Sequence, residues 1–212
     1  MPNLPITQLP SASALQLTDV FPVVQGGITK QTPFSSIVYA QGNSYGLFAQ
    51  TANSTIITGT TTESTLINGG VGTLSVPANG FQIGDSFRAD FGGLLSSKNN
   101  DTIRIRVKAG SVILADSLPQ TMSTATDDVW QLSINFTVRT LGGPGVASIV
   151  SLGVFHSTKQ SNNTQSGFAF NTINNTTFDT TISNTLNVTA QFSSNSTDNS
   201  IYSDIFVLNK IY

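Results

Sequence analysis

The sequence predicts an all-β, antiparallel protein. Three observations carry that expectation: apolar residues recur at every second position over strand-length runs, glycine- and asparagine-rich turns separate the runs, and no apolar stripe of helical period competes with them. Hydrophobic residues make up 38% of the 212, enough for one principal core, whereas charged residues are only 9%, far below the roughly 25% usual in soluble domains. Ser, Thr and Asn fill the deficit. The chain is therefore polar without the high net charge that marks disorder.

Residues 1–40 stand apart. Pro2, Pro5, Pro10, Pro22 and Pro33 fall here, and Asp19 and Lys30 are the only charged side chains before Pro33. Proline fixes φ, removes a backbone donor and pushes the preceding residue to extended conformations, so a stable helix is excluded. Val20 to Val24 and Ile28 to Lys30 flank Gln25-Gly26-Gly27, which predicts two short extended runs around a glycine turn. The segment has too little apolar area for a core of its own and reads as an arm that becomes ordered against something else. Residues 41–49, opening with Gln41-Gly42-Asn43-Ser44-Tyr45-Gly46, are expected to be a linker, and 50–212 a single β domain.

Within 50–212 the elements follow in order. Short runs are expected near 55–58, 65–68 and 72–76. Ser86 to Phe91 then places Phe87, Ala89 and Phe91 on one side, and Thr102 to Lys108 does the same with Ile103, Ile105 and Val107. A run near 111–116 follows. From Trp130 to Arg139 the alternation is complete, with Trp130, Leu132, Ile134, Phe136 and Val138 in one phase. Runs near 146–156, 167–171, 178–192 and 201–211 finish the set, the late one carrying Leu186, Val188, Ala190 and Phe192. Asn68-Gly69-Gly70, Asn79-Gly80, Ala109-Gly110 and Leu141 to Gly145 supply turns. The count is enough for a two-sheet jelly-roll sandwich, whose usual core has eight strands.

Chemistry is scarce in this composition. The chain has one histidine, His156, one glutamate, Glu63, and no cysteine. A Ser-His-Asp arrangement would have to use His156, and no Gly-x-Ser-x-Gly elbow presents a nucleophile. His156 ends an apolar run and reads as a strand-end or interface residue. Zinc and haem sites need several His or Cys ligands. Asp127-Asp128 lacks the spacing of a calcium loop and reads as a solvated turn before the Trp130 strand. No catalytic, cofactor-binding or metal residue is expected, and the protein is not expected to be an enzyme.

Partners are bounded by charge and hydropathy. A net charge of −2 and pI near 5.1 provide no basic footprint for nucleic acid. Arg104, Arg106 and Lys108 alternate on the outer side of one strand and read as a solvated face. No stretch approaches the roughly 18 apolar residues of a membrane span, so membrane insertion is not expected. The opening residues carry neither a basic nor a continuous apolar region, so no secretory leader is expected. Exposed tyrosines leave a surface glycan as a conceivable ligand, whereas Trp130 has inward phase and belongs to the core. Low charge without disulfides leaves outer faces easily buried between subunits, and a homo-oligomer is expected. Ile205, Phe206, Val207 and Leu208 are the candidate interface residues, because the terminal strand is apolar in both phases.

Two parts of the chain resemble known virion proteins. Ile6-Thr7-Gln8-Leu9-Pro10, the small residues after it, Asp19-Val20-Phe21-Pro22-Val23-Val24-Gln25 and Gly27-Ile28-Thr29-Lys30 resemble the N-terminal segment of phage tail-fibre and head-fibre proteins. That resemblance implies a particle-attachment arm carried by Ile6, Leu9, Pro10, Asp19, Val20, Phe21, Pro22, Val23, Val24, Gln25, Gly27 and Ile28. Thr61 to Ile67, Val76 to Asp85, Arg104 to Gly110, the Trp130 strand and Thr185 to Phe192 are similar to a jelly-roll module of phage and large DNA virus structural proteins. Such modules often form trimers resembling the tumour-necrosis-factor arrangement. The resemblances imply a capsid-associated head fibre, spike or decoration protein on the outer surface of a virion, touching other capsid or tail proteins. The alternative they imply is a tail-fibre or spike protein that recognises a host surface glycan.

Overall fold

A computed structural model describes residues 19–33, 45–159 and 163–212. The chain divides into two compact units, 1–43 and 44–212. Ile6, Leu9 and Pro10 lie outside the described residues. In the first unit, β1 (Val20–Gln25) and β2 (Ile28–Pro33) pair as an antiparallel hairpin with Gln25 opposite Ile28. The two-residue turn needs φ > 0 at both central positions, and Gly26 and Gly27 supply φ of 61° and 77°. Val20, Val24 and Ile28 are exposed, and Phe21 and Val23 are partly covered.

The second unit is an antiparallel β-sandwich, with no helix among its described residues. Its strands are β3 (Tyr45–Gln50), β4 (Ile57–Thr58), β5 (Ser64–Thr65), β6 (Gly70–Gly72), β7 (Ser75–Val76), β8 (Ser86–Ser97) and β9 (Thr102–Ala109). They continue with β10 (Val112–Asp116), β11 (Gln120–Thr121), β12 (Ala125–Thr140), β13 (Ser148–Thr158), β14 (Gln165–Asn174), β15 (Asn184–Phe192) and β16 (Ser200–Lys210). The large sheet runs β14-β13-β12-β8-β16-β3-β6, with β4 added to β16. The small sheet runs β10-β9-β15-β5, with β11 on β9 and β7 on β15.

Four of the pairings are nested. The first of these strands pairs with the last, β3 with β16; inside it β5 pairs with β15, then β8 with β12, and β9 with β10 at the centre. Successive pairs alternate between the two sheets. The β13–β14 hairpin extends the large sheet beyond β12.

Alternation builds the core. Ile103, Ile105 and Val107 from the small sheet meet Trp130, Leu132, Ile134 and Phe206 from the large one in a single buried cluster. Trp130 is fully buried, as its phase requires, and its indole N–H donates to the Leu94 and Tyr202 carbonyls, both at 3.1 Å. Beside it β8 and β16 approach so closely that a Cβ on Gly93 would lie 2.0 Å from the Tyr202 carbonyl oxygen.

Two elements differ from expectation. β3 occupies Tyr45–Gln50, all but its last residue within the 41–49 stretch expected to be a linker, because pairing with β16 satisfies its backbone. A register shift between Ser203 and Ile205 reverses the phase of β16, so Ile201 and Ser203 are buried before it and Phe206 and Leu208 after it. The terminal strand is therefore two-sided in sequence because of a bulge.

Candidate functional site

Three surfaces of this unit hold the residues with chemical potential. The first is the outer face of the large sheet. On β13, Leu152 and Val154 alternate outward at 48% and 44% exposure, and Ile173 of β14 and Ile205 of β16 join them at 53% and 55%. Register aligns Ala169, Val154, Ser133, Asp90 and Val207 as one row across five strands. The acid in that row is already matched, since Asp90 receives Arg88 at 2.9 Å and the Ser133 hydroxyl at 2.8 Å. This face therefore mixes exposed apolar residues with polar ones, Gln131, Ser133, Asn135 and Asn171 among them, and the charge of Asp90 is locally neutralised. The structure divides the predicted interface set: Phe206 and Leu208 are buried in the chain's own core, leaving Ile205 and the partly exposed Val207 facing outward. His156 is on this same face, between Gln131 and Gly167 in register.

The second surface is the outer face of the small sheet, where the expected solvated charges are instead paired within the chain. Glu63, just before β5, reaches Arg106 at 2.6 Å and Lys108 at 3.1 Å, and accepts the Thr189 hydroxyl at 2.5 Å. Gln191 donates to the Thr61 carbonyl at 2.9 Å, fastening the same segment to β15. Asp116 of β10 is clamped by Arg104 through paired guanidinium hydrogen bonds. Arg106 Nε lies 3.5 Å from Asp116 in a charge contact without hydrogen-bond geometry. Burial pushes the Glu63 carboxyl up, but the Thr189 hydroxyl, Lys108 and Arg106 outweigh it and hold the group below its ordinary value. Asp116 behaves alike: burial raises it, and Arg104, the Leu118 N–H and Arg106 bring it lower. The single glutamate of the chain is thus a structural staple on the opposite sheet from the single histidine.

The third is a cavity of about 130 Å³ at one end of β12, β13 and β14, with the segment around β11 forming one wall. Its lining includes Met122, Asp128, Ser157, Lys159 and Phe168. Phe168 stacks on Phe155 with centroids 4.8 Å apart, and Phe155 in turn on Trp130 at 5.6 Å. Asp127 and Asp128 are not a solvated turn. They sit within β12 at a bulge, with Asp127 at φ 52° and Asp128 only 6% exposed. Asp128 shares the inward phase of Trp130, and that phase is the signal by which sequence alone could have placed it inside.

Among the described residues no group of three or more His, Cys, Asp or Glu side chains could hold a metal ion, and no helix is long and apolar enough to cross a membrane. Of the arm residues, Asp19 to Gln25, Gly27 and Ile28 lie on or beside the β1–β2 hairpin. Comparison with family models, curated proteins and solved structures returns no significant match.

Proposed function

We propose that this protein is a structural component of a virus particle. It is a capsid-associated head fibre, spike or decoration protein, held to the particle by its N-terminal arm and assembled with copies of itself as a trimer. The observation that carries the reading is the nested pairing β3–β16, β5–β15, β8–β12 and β9–β10, alternating between sheets. That order supports a jelly roll, in which a long antiparallel ribbon is rolled upon itself, a frequent architecture of viral capsid domains.

Two further features support it. The outer face of the large sheet exposes Leu152 and Val154 on β13, Ile173 on β14 and Ile205 on β16, and exposed apolar residues on one face suit burial against another subunit. The β1–β2 hairpin pairs with no other strand among the described residues, and a two-stranded hairpin alone is at best marginally stable in water. Its free edges suit strand addition to a neighbouring particle protein. Immunogold labelling with antibodies against residues 44–212 tests the reading. Label on the outer surface of purified particles is expected. Protein found only free in lysate, with unlabelled particles, would overturn it.

A further inference from the structure

We propose that the free edge of β14 joins two copies of this chain, their large sheets continuing into one another through antiparallel β14 strands about a two-fold axis at Ala169. This contact is separate from the trimer reading and does not depend on it. A strand at the end of a sheet presents unpaired N–H and C=O groups, and proteins blunt such strands with short length, charge, proline or a bulge. The other sheet ends are blunted. β5 and β6 are two and three residues long, and β10 carries Asp116 and a register shift between Ile113 and Ala115. β14 has none of these devices. It runs ten residues, Gln165–Asn174, without a charged residue or proline and in unbroken register with β13, and among the described residues no second strand pairs with it.

The hairpin sets which backbone groups are open. The Lys159 N–H donates to the Thr164 carbonyl at 2.9 Å, so in the ladder continuing from it the even-numbered residues of β14 exchange hydrogen bonds with β13. Gln165, Gly167, Ala169, Asn171 and Ile173 therefore turn their N–H and C=O groups to the edge, and all five are exposed. Opposed residues of an antiparallel pair share a face, so pairing about Ala169 sets Gly167 against Asn171 and Gln165 against Ile173 and uses every open group. No like charges meet across the axis. A register centred on Phe170 would instead extend the contact onto Asn174, which is buried and holds the Ile113 carbonyl at 2.8 Å. Backbone hydrogen bonds return little net stability against the cost of association, so the contact forms between copies held close together and leaves the dilute species unchanged.

Single cysteines placed in the otherwise cysteine-free full chain test this at millimolar concentration under mild oxidation. Residues opposed in a hydrogen-bonded antiparallel pair have Cα atoms about 5.5 Å apart, within the span of a disulfide. Ala169→Cys meets its own copy across the axis, whereas Gln165→Cys, on the same strand and also exposed, lies about 27 Å from its copy at roughly 3.4 Å per residue. Ala169→Cys is expected to form disulfide-linked dimers about tenfold faster than Gln165→Cys or more. A mixture of Gln165→Cys and Ile173→Cys should cross-link faster than either alone, which a parallel or three-fold encounter of the same strands would not produce. No dimer from Ala169→Cys, equal rates at 165 and 169, or a mixture no faster than its components would overturn the proposal.

Discussion

Trp130 lies fully buried between Phe155 and the β8–β16 seam, with its N–H shared by two carbonyls. Truncation to alanine removes the largest core side chain and its hydrogen bonds to those carbonyls. Trp130→Ala should therefore destabilise the unit by about 3–5 kcal/mol in denaturant unfolding, and a wild-type midpoint would contradict its place in the core. This position is legible in sequence because it opens a run of five alternating apolar residues. Asp128 is legible only in part. Its phase points inward, but Ser157, Lys159 and Phe168 come from two other strands and their connection, and no local pattern announces that they share a cavity. Cavities arise from long-range packing, which a period of two does not encode.

Among the elements, β9 shows the same boundary. Its alternation places Ile103, Ile105 and Val107 inward and Arg104, Arg106 and Lys108 outward, but says nothing of the partners those cations find. Glu63 comes from 43 residues earlier than Arg106, and only folding brings it onto the sheet. Because the folded Glu63 carboxyl is held below its ordinary value, its contribution to stability is fully present above the ordinary carboxylate range. The contribution is lost as pH falls through that range and below it. Glu63→Gln should thus lower the melting temperature at pH 7, and the gap to wild type should narrow by pH 3. A gap independent of pH would show that the staple acts by packing and not by charge.

For the whole molecule, the all-β, antiparallel character and most strand positions are legible, whereas β3, β11 and the division of 72–76 into β6 and β7 are not. The pairing order is not legible either, since alternation marks strands without saying which ones meet. β3 is missed for a related reason: Gly42 and Gly46 resemble a linker until β16 provides an edge to pair with. Removing residues 1–40 should leave a cooperatively melting unit, since β3 and every strand of the sandwich remain. Loss of cooperative melting would show that the arm belongs to the core.

The assembly claim rests on the outer face of the large sheet, where Leu152 and Ile205 are exposed and Asp90 is neutralised in place. A pair of aspartates there would put unpaired charge into any interface on that face without touching the core. Multi-angle light scattering of the full chain at micromolar concentration, beside Leu152→Asp combined with Ile205→Asp, is the direct measurement. The account predicts a wild-type mass three times the 22.4 kDa of the chain and a folded monomer for the double variant; a wild-type mass of 22.4 kDa, or a double variant that keeps the wild-type mass, would contradict it.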